Sequence, residues 1–273
     1  MSAVTASVED LVLIAGATGG VGQLVTANLL GKGMKVRILT RNAAKARKMF
    51  PEPVEIVVGD IRDISTLPPA IQDINYIICC TGTTAFPSER WEFDPPPNFL
   101  EWGRILIDSE YRNTKAQNNP QKVDAEGVRN LISVTPPHLK RCVFVSSVGV
   151  HRKNQPPFNI LNAFGVLDAK EKGEQAIINS GIPYTIIRPG RLIDGPYTSY
   201  DLNTLLKAKT GGKQGVVVET GDNLSGDASR IDVAAACVES LFYPSTANQA
   251  FTLVNKGTRP PVISWETIFS QLR

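Results

Sequence analysis

Short apolar runs alternate along this chain with longer stretches whose apolar positions recur at helical spacing. Leu11–Ala15, Lys35–Thr40, Val54–Val58 and Asn75–Cys80 read as strands. Val21–Leu30 and Ala43–Phe50 read as the helices between them, the second basic and ended by Pro51. Apolar strands separated by helices imply a parallel sheet covered on both faces, and right-handed crossovers then fix its winding. The alternation resumes late in the chain with a helix over Val123–Val134, a strand over Cys142–Ser147, a helix over Asp168–Ser180 and a strand over Tyr184–Arg188. Beyond Pro189-Gly190 the pattern predicts a helix over Asp201–Lys209 and a strand over Gly215–Val218. An amphipathic helix over Ile231–Leu241, a strand over Phe251–Val254 and a last helix over Trp265–Leu272 follow. The fold class is therefore α/β: a doubly wound parallel sheet in one domain spanning 1–273, with a small C-terminal substrate-side lobe.

The rhythm breaks over Thr81–Lys122. The insertion at about 84–120 holds Phe86, Trp91, Phe93, Phe99, Trp102 and Tyr111, with Pro95-Pro96-Pro97 among them. Long excursions from compact domains usually carry function or are disordered, and this aromatic content opposes plain disorder. It follows a strand at its carboxyl end, the edge where ligands bind in this architecture. A lid or docking surface beside the ligand cleft is expected, taking a small-molecule acceptor or a protein partner.

Composition narrows the function classes. The formal charge of the 273 residues is only +3 and no Lys/Arg run occurs, so a nucleic-acid partner is not expected. No apolar stretch is long enough for a transmembrane segment. Met1–Asp10 lacks a secretory pattern. Cys79, Cys80, Cys142 and Cys237 lie in apolar runs without metal-ligand spacing and read as buried, reduced thiols. Adjacent Cys79 and Cys80 should face opposite sides of the sheet.

The candidate chemistry begins with Gly16-Ala17-Thr18-Gly19-Gly20-Val21-Gly22, between the first strand and the first helix. A pyrophosphate needs backbone amides and the positive end of a helix dipole, and glycines let it approach. This is the dinucleotide-binding corner of a Rossmann fold. At the end of the second strand, NAD binders place Asp or Glu for the ribose 2′-hydroxyl. Here stands Arg41, which suits a 2′-phosphate, so the expected cofactor is NADP(H). Asp60, ending the third strand, can accept from the adenine amino group while Ile61 packs on the ring. Thr81-Gly82 ends the fourth strand in a turn that lets the cofactor pass.

Gly16–Gly22, Arg41, Gly59-Asp60, Thr81-Gly82, Ser146-Ser147, Lys170 and Ile187-Arg188-Pro189-Gly190 together resemble an atypical short-chain dehydrogenase/reductase of the NmrA-like group. The resemblance spans about residues 9–256 outside the insertion. It is nearest to plant and cyanobacterial members, the dehydrogenase-like part of Tic62 and photosystem assembly factors. The segments Lys170–Gln175 and Ser229–Ala234 support that placement. The resemblance implies Ser147 and Lys170 as catalytic candidates, Lys170 also on the nicotinamide ribose, and Pro189 beside the cofactor. It also implies a location in the cyanobacterial cytoplasm, or in the chloroplast stroma after removal of a transit peptide.

One position departs from the family. Active members of the wider group carry Tyr four residues before Lys; position 166 is Val, and the nearby aromatic Phe164 has no hydroxyl. Without a phenol to donate a proton, the resemblance favours reduction of a flavin, a quinone or another conjugated acceptor that takes its proton from solvent. The alternative is a non-catalytic, redox-responsive NADP(H)-binding scaffold or assembly factor. Tyr197 and Tyr200 follow Pro189-Gly190, but nothing in the sequence places them at the site.

Overall fold

Strand alternation sorts the buried side chains onto two faces of one sheet. In β1 (Leu11–Ala15), Val12 and Ile14 join one core while Leu13 and Ala15 join the other. α1 (Gly20–Gly31) returns the chain to β2 (Lys35–Thr40), and α2 (Ala43–Met49) leads to β3 (Val54–Val58). β4 (Tyr76–Cys79) repeats the alternation, with Tyr76 and Ile78 on one side and Ile77 and Cys79 on the other. Cys80 then packs on the face opposite Cys79, as alternation requires. The structure, a computed structural model, describes residues 5–50, 53–87, 91–193 and 213–272. The helix expected over Asp201–Lys209, and Tyr197 and Tyr200, lie outside the described residues.

The insertion is not a loop. It contains α3 (Phe99–Ile107) and α4 (Ser109–Lys115). Asn98 and Glu101 form a reciprocal capping box at the start of α3, and Asp108 caps α4. Trp91 is buried, its indole donating to the Thr84 carbonyl and hydroxyl. Phe93 packs between Trp91 and Trp102, and a bridge from Phe93 to Ala116 closes the excursion at its base.

Past the insertion, the helix expected over Val123–Val134 is split: Gln121–Gly127 is a π-helical turn, and α5 covers only Val128–Ser133. β5 (Arg141–Val145), the short α6 (Phe158–Leu161), α7 (Val166–Ile178) and β6 (Tyr184–Pro189) follow. After β7 (Arg191–Leu192), β8 (Gln214–Thr220) and β9 (Asp227–Ala228) come α8 (Arg230–Glu239), β10 (Gln249–Thr258) and α9 (Trp265–Phe269).

The main sheet has eight strands in the order β3-β2-β1-β4-β5-β6-β10-β8. All its pairings are parallel except that of β8, which runs antiparallel on β10 at one edge. Much of the described chain after Pro189 thus extends this sheet, and a separate pair, β7–β9, stands beside it. The chain winds outward from β1 to β3 and crosses back to β4, so winding reverses between β1 and β4. In open α/β sheets that reversal opens a crevice at the carboxyl ends of the strands.

Candidate nucleotide cleft

The glycine loop sits at that crevice and has no room for side chains. Gly16 has φ +86°, and a Cβ there would stand 2.8 Å from the Cys80 carbonyl carbon and the Thr81 nitrogen. A Cβ on Gly22 would fall 2.2 Å from the Gly16 carbonyl oxygen. Gly19 is the N-cap of α1; it provides no side-chain cap, and the first turn carries no acidic residue. The first-turn amides are left for an anion. Gly20 lies against the buried Arg230 side chain: a Cβ would meet its Cδ at 3.0 Å and Nε at 3.1 Å. Arg230 thus brings a guanidinium to the start of α1, a role not read from the sequence. Val21 is core, and the Thr18 carbonyl accepts from Gln23 Nε2 at 3.3 Å. These features fit a dinucleotide phosphate on α1.

Arg41 directly follows β2, and its guanidinium is engaged. Its Nη1 donates to both carboxylate oxygens of Glu92, at 3.0 and 3.2 Å. Glu92 comes from the insertion, 51 residues away, and also lies 3.5 Å from Arg62. Arg62 in turn forks onto Asp60 and donates to the Gln117 carbonyl at 2.7 Å. Burial pushes the Asp60 carboxyl up, but hydrogen bonds and charge from Arg62 outweigh it and hold the group below the usual carboxylate range. Asp60 is thus occupied by Arg62, and Ile61 is buried against the π-helical turn at Gly127. The insertion reaches the Arg41 end of the cleft as well as the opposite end, where Phe86 meets Phe164 edge-on at 5.6 Å.

At that opposite end, Lys170 is buried on the inner face of α7. Its ammonium donates to the Thr81 carbonyl at 3.0 Å and the Val145 carbonyl at 2.9 Å, and lies 2.8 Å from Asp124. Asp124, fully buried in the π-helical turn, accepts from the Thr83 amide at 3.1 Å and hydroxyl at 2.7 Å. The lysine ties the carboxyl ends of β4 and β5 to the helix. Exposed Gly82 leaves this pair uncovered, since a Cβ would stand 3.3 Å from Lys170 Nζ. Ser147 is half-buried and donates to the Val148 carbonyl at 3.1 Å; no hydrogen bond joins it to Lys170 among the described residues. Pro189 is buried at the end of β6, its carbonyl taken by the Val148 amide at 3.0 Å. Val166 is buried at the head of α7.

Behind these groups lies a polar cluster not read from the sequence. Arg188 forks onto Glu174 at 3.0 and 2.6 Å, and Glu174 accepts from the Ser146 hydroxyl at 2.5 Å. Exposed His151 touches the same guanidinium at 3.2 Å. One signal was available: Glu174 lies four residues after Lys170, so both fall on one helix face.

The chain is similar to several known proteins. Sanguinarine reductase of Eschscholzia californica is 31% identical over 96% of this chain and 95% of its own length. Protein TIC 62, chloroplastic, of Pisum sativum is 31% identical over 67% of this chain and 33% of its own length. A solved Bacillus halodurans structure, described as a putative NAD-dependent epimerase/dehydratase, superposes with a TM-score of 0.66 at 22% identity, over 92% of this chain and 96% of that one. The NAD(P)H-binding family matches residues 16–244, and the chain belongs to that family.

Proposed function

We propose that this protein is an NADPH-dependent reductase of conjugated acceptors such as flavins or quinones. The observation that carries the reading is Arg41: the end of β2 offers a guanidinium where an NAD-selective site offers a carboxylate. The relation to sanguinarine reductase supports the reductase chemistry. A bound reduced nicotinamide supplies hydride at the carboxyl edge of the sheet. The α1 amides, with Arg230 beside them, hold the pyrophosphate. Lys170 acts as a positioning residue, fixing the ends of β4 and β5 and holding Asp124. Ser147 follows β5 by two residues, and the hydroxyl between them, that of Ser146, is taken by Glu174. With Val166 in place of a phenol, the acceptor takes its proton from solvent. The similarity to a chloroplastic protein supports a plastid location, with the cyanobacterial cytoplasm as the other compartment.

Titration calorimetry should show NADPH binding at least about tenfold tighter than NADH, and Arg41→Asp should reverse the order. Equal affinities in the native protein would overturn the cofactor assignment. Anaerobic mixing of the NADPH complex with flavins and quinones should show oxidation at 340 nm; no oxidation with any acceptor would overturn the reductase assignment. A second reading, a cofactor-responsive scaffold, is favoured by Val166 together with the exposed apolar face of α3, where Phe99 is 90% and Ile107 87% accessible. Partner capture that changes between NADP+ and NADPH would support it.

A further inference from the structure

A buried guanidinium on the insertion points to a second site, apart from the nucleotide cleft. Arg112, on α4, is only 6% exposed. Its Nη1 donates to the Ile105 carbonyl at 2.9 Å, its guanidinium lies 4.8 Å from the Phe164 ring centre, and its Nε is buried without a hydrogen-bond partner. None of the ion pairs among the described residues includes it. The carboxylate whose charge reaches it, Asp108, is itself engaged by Arg104 at 3.2 Å. Burial accordingly lowers the Arg112 pKa. A buried cation without a carboxylate is costly to keep.

This guanidinium lines a cavity of about 290 Å³ between α4 and the head of α7. Lys172 stands at its rim, and Ser109 and Asn113 add hydrogen-bonding groups from α4. Asp168 also lines it and shares Lys153, 2.7 Å away, with Glu171. The lining sets Arg112 and Lys172, the latter donating to Gln121 Oε1 at 2.9 Å, against one carboxylate, a net charge of +1. The cavity lies on the outer face of α7: Asp168 and Lys172 face it, whereas Lys170 and Glu174 face the sheet.

We propose that this cavity binds a small oxyanion, a carboxylate or a phosphate, on Arg112 and Lys172. A planar guanidinium with unused donors matches such a group. The bound anion would also pin α4 of the insertion to α7. This inference does not rest on the reductase reading, because neither Arg112 nor Lys172 is assigned to the nucleotide; Phe164 is shared with the end of the cleft.

The test uses the full chain in chloride buffer at constant ionic strength, titrated separately with inorganic phosphate and with succinate. Calorimetry and amide NMR should show saturable binding of at least one probe, with shifts centred on α4 and the head of α7. Whichever probe binds identifies the source of the oxyanion. Arg112→Gln should weaken that binding by about tenfold or more, and NADPH affinity should stay within about twofold. Absence of saturable binding of both probes to the native protein would overturn the proposal, as would unchanged affinity in folded Arg112→Gln. If Arg112→Gln does not fold, Lys172→Gln at the exposed rim decides. Affinity weakened about threefold supports the site, and unchanged affinity overturns it.

Discussion

Glu174 is completely buried, and its carboxylate meets a guanidinium that is itself 2% exposed. Such a pair contributes modestly over a well-packed apolar substitute, yet removing one partner leaves the other charge stranded. Glu174→Gln should therefore cost about 3–5 kcal/mol in urea unfolding, while Ser146→Ala, which removes one hydrogen bond, should cost about 1–3. Equal losses from the two would contradict the ranking. Asp60 offers a pH-dependent counterpart. Its folded pKa lies below the unfolded value because Arg62 outweighs burial. The stability it contributes is complete above about pH 4 and is lost as pH falls through the lower folded value. Carboxyl-detected NMR should find Asp60 titrating below the ordinary Asp range, and Arg62→Gln should raise it. An unmoved titration in that variant would show that Arg62 does not hold the carboxyl.

At the scale of elements, the β1–α1 corner and the insertion contrast in how they are fixed. The corner depends on space. Gly22→Ala places a methyl 2.2 Å from the Gly16 carbonyl, an overlap that should destabilise the fold by about 1–3 kcal/mol and abolish nucleotide binding. The insertion meets the cleft through charge. The Arg41–Glu92 pair is about half exposed on both sides, so it is worth at most about 1 kcal/mol and yields to a competing phosphate. Glu92→Gln should tighten NADPH roughly two- to fivefold and leave NADH unchanged. Calorimetry showing no gain would mean the pair does not oppose the phosphate. This contrast also explains what the sequence disclosed. Gly16–Gly22 is legible because its strand, turn and helix are contiguous. Arg41 is legible as a cation at a strand end, but its partner lies 51 residues on, and no local pattern announces that distance. Likewise Lys170 stands out by family spacing, while its contacts at Thr81 and Val145 come from chain folding 89 and 25 residues away. The helices of the insertion had a readable sign, Asn98 followed three residues later by Glu101, a helix-start signature that the aromatic content and prolines obscured.

For the molecule as a whole, the nucleotide cleft joins elements from both faces of the sheet. α1 and α8 cover one face, α5 and α7 the other, and the cleft opens where the strand order reverses. A ligand bound only by the folded chain stabilises all of these elements together, by an amount set by its concentration relative to its Kd. At about one hundred times Kd the gain is about 2.7 kcal/mol. For a domain of this size each kcal/mol moves the midpoint by roughly 2–4 °C, so NADPH should raise Tm by about 5–10 °C. NADH at the same concentration should raise it less, because Arg41 finds no phosphate on it. The two ligands should become equivalent in Arg41→Ala, which keeps the helix amides but loses the guanidinium. A native protein whose Tm responds equally to both nucleotides would show that the β2 end does not read the 2′ position. A shift for NADPH that survives intact in Arg41→Ala would locate the phosphate contact elsewhere, with Arg62 as the next guanidinium along the same edge.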